Sequence, residues 1–249
     1  MSEHEDNPPS EPLKEIPESV FADDDGSADA RLAQVLIRFS RGKAPLTEVV
    51  DALQYARVLV PVLAEGEQRI MGKHGVEQDH VGSTGVVALQ IPDGRSALPI
   101  FTDVDAMRTW NADARPIPAE GPRAALAAAA EGWSVMVLNP VMESVVIPRP
   151  AVWALGQGET WRPAVVDGHV AHDVREAIID AVSLDDEVRS IDALPGRQAE
   201  VAVVVALVPG LAQDAVDDAV RRVHEALAES PVVADRVDSM ELRLATWTG

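Results

Sequence analysis

Cysteine is absent from the 249 residues, which removes disulfides, thiolate metal sites, cysteine nucleophiles and any persulfide carried on the chain itself. Aromatic residues are scarce, three Phe, five Trp and one Tyr, so the cores must be aliphatic, built on Ala, Val and Leu. Positive charge is in short supply as well: 21 Lys and Arg face 41 Asp and Glu, a formal net charge of −20. Such a surface repels phosphate backbones and anionic lipid, and no basic stripe offsets it, so neither nucleic acid nor membrane is expected as a partner. No apolar run approaches the ~18 residues of a membrane span, and no basic stretch followed by an apolar run opens the chain. The expected location is the cytoplasm. Neither GxxxxGK[ST] nor GxGxxG occurs, so nucleotide chemistry is unsupported, and no serine sits in a GxSxG elbow.

What is present divides into an arm and two domains. Residues 1–26, rich in Glu, Asp, Pro and Ser with little to bury, read as a disordered acidic arm. From residue 27 the pattern turns helical. Leu32, Val35, Leu36 and Phe39 share one face and Gly42 stands where the helix stops. Thr47 is the expected N-cap of a second helix ending near Ala56, and Arg57 to Leu63 is an apolar strand in which Pro61 argues for an edge or an end. The polar, glycine-rich segment 64–83 reads as a loop. It gathers His74, Glu77, Asp79 and His80, but their spacing matches no zinc or calcium motif, so no metal is expected. Thr84 to Ile91 and Leu98 to Phe101 form a hairpin about Pro92-Asp93-Gly94.

The stretch 96–155 holds the clearest alternation of elements. Thr102, with Asp105 three residues on, reads as a helix start, and Trp110 closes that helix. Pro116 and Pro118 enforce an extended link, Arg123 to Glu131 is an Ala-rich helix, and Trp133 to Leu138 is a buried strand halted by Asn139-Pro140. Strand ends are where layered α/β structures leave clefts. The candidate ligand- or partner-binding residues are therefore Phe101, Thr102, Asp103, Trp110, Asn139 and Pro140, with no catalytic residue assigned. The segments ALPIFTDVDAMRTWN, ARPIP and VLNP with VVIPRPAVWAL resemble the N-terminal domain of the SseB family, in the two-domain form of high-GC Gram-positive bacteria. The resemblance implies an SseB-type mixed α/β domain over 27–156 and a second SseB domain after it. The family's name refers to enhanced serine sensitivity, and it brings no catalytic mechanism.

Residues 160–249 read as strand, helix, two strands about Pro195-Gly196, helix and strand, the βαββαβ order of a smaller ferredoxin-like domain. The segment VAVVVALV is apolar on both faces and belongs at the centre of its sheet. His169 and His172, beside Asp167 and Asp173 at a helix start, read as solvated residues of a first turn, and His224 as a solvated helix position. The expected whole is an α+β protein with no cofactor, binding or regulating an unidentified protein partner, its oligomeric state left open. The alternative is a metabolite-binding protein or enzyme linked to serine or sulfur metabolism, with its site near Phe101, Thr102, Asp103, Trp110 and Asn139.

Overall fold

The computed structural model describes residue 21 and residues 24–63 and 86–248. The segment 64–83, with its four candidate metal ligands, lies outside the described residues, as do residues 1–20, 22 and 23 of the expected arm. The end of that arm is fixed to the body: Asp24 forms a two-point ion pair with Arg57 (2.8 and 2.9 Å), and the Gly26 carbonyl accepts from the Val104 N–H.

Helix α1 (Ala30–Ser40) is capped by Asp29, whose carboxylate accepts from the Leu32 N–H, and its chain turns away at Gly42 with φ of +66°. Helix α2 (Leu46–Leu53) starts two residues earlier than the expected Thr47 cap allows. Pro45 sets its start, since a fixed φ and a missing N–H cost nothing just outside a helix, and Thr47 falls within the first turn. Strand β1 (Arg57–Val62) follows, then β2 (Leu89–Gln90) and β3 (Ser96–Ile100), which form the expected hairpin. Helix α3 (Val104–Trp110) leads to β4 (Arg115–Glu120), so the proline link is itself a strand, antiparallel to β1. Leu59 gives its N–H and C=O to Phe101 (2.8 and 2.9 Å), so positions 59 and 61 face away from β4. Pro116 and Pro118 lie opposite those two positions, and three prolines are accommodated without removing a ladder bond.

Helix α4 (Gly121–Ala130), β5 (Val135–Leu138), β6 (Val145–Ile147) and α5 (Arg149–Gln157) complete the N-terminal half. The sheet runs β2-β3-β5-β6, with β3 and β5 parallel. Leu98, Ile100, Met136, Leu138 and Ile147 on one face pack against α1, α2, α4 and α5, in a core that extends to Trp161. Helix α3 packs beside β1, where Leu59, Phe101 and Met107 meet, while Ala97, Val135 and Val137 on the sheet's other face gather with Ile91.

The C-terminal half has its own core, beginning at Ala164. It contains β7 (Val165–Val166), β8 (His169–Val170), α6 (His172–Ala181), β9 (Val188–Pro195), β10 (Val201–Leu207), α7 (Gln213–Ala228), α8 (Pro231–Arg236) and β11 (Met240–Thr246). The α+β class is as read. The strand pairing departs from the ferredoxin-like expectation, because the main sheet has three strands in the order β11-β10-β9. Asp167 and Gly168 both adopt positive φ, a tight turn that folds Val165–Val166 back onto His169–Val170. The expected first strand is thereby used locally, and β11 takes its place beside β10, in parallel. Strand β10 is central, buried along nearly its whole length. Among the described residues no helix is long and apolar enough to cross a membrane.

Candidate functional site

Three of the six candidate residues line one cleft. Strands β3 and β5 are parallel and end side by side, so the residues after them, Thr102-Asp103 and Asn139, converge; the Asn139 N–H donates to the Ile100 carbonyl at 2.9 Å. Thr102 is the only buried polar residue among those described, 4% exposed, and its groups are all matched. Its N–H donates to Asn139 Oδ1 (3.1 Å), its hydroxyl donates to Asp103 Oδ2 (2.7 Å), and Asn139 Nδ2 donates to that hydroxyl (3.1 Å). Asp103 Oδ1 accepts from the Ala106 N–H at 2.8 Å. The cap of α3 is therefore Asp103 and not Thr102: the buried hydroxyl is held by Asn139, leaving the next side chain to meet the free helix N–H.

Beneath this trio Phe101 is fully buried against Trp110, ring centroids 5.3 Å apart, so both aromatics serve as the floor's support rather than its lining. Pro140 is half-buried and stands outside the cleft; it is the second residue of a tight turn opened by Asn139 (φ of +49°), whose carbonyl accepts from the Met142 N–H at 3.1 Å, and Glu143 follows with φ of +48°. The opposite wall, which the sequence offered only as the core face of a helix, is Leu36, Phe39 and Ser40 of α1. Asp105, Ala106, Thr109, Met142, Glu143 and Val145 complete a cleft of about 370 Å³. Its lining holds three carboxylates and no Lys, Arg or His. Neither Asp105 nor Glu143 has a side-chain hydrogen bond or ion pair to another described residue.

A hydroxyl nucleophile needs a base and a free approach, whereas the Thr102 hydroxyl is buried and engaged at both hydrogen and lone pair. Among the described residues no group of three His, Cys, Asp or Glu is placed to hold a metal ion. Among the described residues the exposed His172 side chain pairs with Glu176 one turn along its helix (3.2 Å), and His169 Nδ1 lies 2.9 Å from the Asp167 carbonyl. A second depression, about 270 Å³, lies where the chain leaves α5, with Arg31 stacked 5.5 Å from the Tyr55 ring on its wall.

A chain with a mixed sheet packed against helices, a proline-paired edge ladder and a strand-end cleft belongs to the α+β class. Residues 32–154 match the family described as SseB protein N-terminal domain, and this part of the chain belongs to the SseB family. No curated protein and no solved structure matches it.

Proposed function

We propose that this chain is a non-enzymatic binding or regulatory protein of the cytoplasm, whose N-terminal domain takes a basic, apolar-stemmed segment of a protein partner in the cleft between α1 and α3. One observation carries the reading: the cleft's polar trio is satisfied internally, while its rim offers Asp105 and Glu143 beside the apolar Leu36, Phe39 and Met142. Lys and Arg side chains suit such a wall, laying a methylene stem on apolar surface and setting the charge among carboxylates. A partner of that kind is also steered by a net charge of −20.

The test is capture from native cytoplasm, followed by reconstitution of the complex from purified components. Binding should weaken with added salt and fall by about tenfold or more in Asp105→Arg and in Met142→Arg. A complex indifferent to both substitutions overturns the reading. The alternative, a site for serine or sulfur metabolism at Thr102, Asp103 and Asn139, makes a different demand. Serine should raise the melting temperature, and Asn139→Ala should abolish that shift.

A further inference from the structure

We infer that Asp238 is the N-terminal cap of α5, supplied from the C-terminal half, and that Arg95 and the start of α5 form a carboxylate-binding site by which the N-terminal domain holds the rest of its own chain. Helix α5 needs such a partner. Its N-cap residue is Pro148, which has no side chain able to accept a hydrogen bond, and no local cap is made. Asp238 Oδ1 accepts from the N–H of Arg149, the first residue of the helix, at 2.9 Å, and so meets one of the free donors that the proline at the cap position leaves open.

The same carboxylate is gripped by a planar fork: Arg95 Nη1 and Nη2 donate to its two oxygens at 2.9 and 3.0 Å. That fork is set beforehand, because Asp93 in the preceding turn accepts from both the Arg95 N–H (3.0 Å) and Nε (2.8 Å). Arg149 adds a hydrogen bond from Nη2 to the Val237 carbonyl (2.6 Å). On the other side the Asp238 backbone is anchored in its own half, its N–H donating to Glu200 Oε2 at 2.8 Å. The Asp238 side chain is only 14% exposed, so both oxygens are committed and largely shielded from water. This goes beyond a surface ion pair, which contributes little when solvated.

Differential scanning calorimetry of the full chain tests the assignment with Asp238→Ala, Asp238→Asn, Arg95→Ala and the double variant. Asp238→Ala should lower the melting temperature by about 5 to 10 °C and split or broaden a single transition, as the halves lose their shared carboxylate. Arg95→Ala should cost less, since the cap to Arg149 survives. Asp238→Asn should fall between Asp238→Ala and wild type, its amide oxygen still able to cap. In the double variant the loss should be smaller than the sum of the singles. Should Asp238→Ala fail to give a folded far-ultraviolet spectrum, Asp238→Asn and Arg95→Ala with their own double variant complete the cycle. Additive losses, or an Asp238→Ala transition unchanged in midpoint and width, overturn the inference. Equal losses in Arg95→Ala and Asp238→Ala would overturn the capping role.

Discussion

Asn139 combines a left-handed backbone, φ of +49°, with a side chain that both accepts from the Thr102 N–H and donates to its hydroxyl. The two requirements pull substitutions apart. Glycine relieves the backbone but loses the hydrogen bonds, whereas alanine loses the bonds and keeps the steric cost, about 1 to 2 kcal/mol for a left-handed non-glycine residue. Chemical denaturation of Asn139→Gly and Asn139→Ala should therefore rank glycine as the milder, by about 1 kcal/mol. Equal losses would mean the backbone relaxes once the side chain is gone. This detail lies beyond what Asn-Pro announces in sequence. The dipeptide marks a turn, and the Thr102 partnership exists only because β3 and β5 end side by side. The same limit explains why the α3 cap was displaced by one residue: Thr and Asp both suit a cap, and burial of the hydroxyl decides between them.

Among elements, those with strong local patterns were legible: the amphipathic α1, the Ala-rich α4, the β2–β3 hairpin and the all-apolar β10. Those decided by pairing were not. The prolines of β4 argue for a connection until their register against Pro61 shows that each falls where no ladder bond is needed. Val165–Val166 looks like any short strand, and only the turn at Asp167-Gly168 diverts it from the main sheet. Trp133, 7% exposed just before β5, offers the plainest check on the N-terminal core. Trp133→Ala should destabilise the protein by about 3 to 5 kcal/mol, read from urea unfolding; a loss under about 1 kcal/mol would place that ring at the surface. Gly121 gives a check of a different kind. A Cβ there would stand 2.0 Å from the Leu53 carbonyl oxygen, while the Gly121 N–H donates to the Ala56 carbonyl (3.0 Å) and holds the backbone in that close approach. Gly121→Ala must push α4 off α2, and a loss above about 2 kcal/mol is expected by the same measurement.

For the whole molecule, acid and base sides of the stability profile belong to different groups. Asp173, through hydrogen bonding with Arg236, and Asp185, through the N–H groups of Val188 and Glu187, are held below the ordinary carboxylate range. Their contribution is present above about pH 4 and lost as pH falls through the lowered values. Glu200 has the opposite sign. Burial raises its pKa, the neighbouring Asp238 charge adds to the rise, and the Asp238 N–H holds it back. Its contribution is full below the ordinary value and is lost as pH rises through the raised one. Glu200→Gln should thus melt higher than wild type near pH 7, with the gap closing towards pH 4; a gap independent of pH would show that its charge is well solvated. Deleting residues 1–20 should leave the melting temperature within about 2 °C, whereas deletion through residue 26 should lower it further, because loss of Asp24 leaves the largely buried Arg57 with carbonyl partners but without its counter-charge. Between Trp161 in one core and Ala164 in the other stand only Arg162 and Pro163. Three residue steps reach about 10 Å at full extension, with one φ locked by proline. Each half therefore meets the other at an effective concentration that no flexible tether could match. Splicing a run of glycine and serine between Arg162 and Pro163 would dilute that encounter while leaving every contact surface intact.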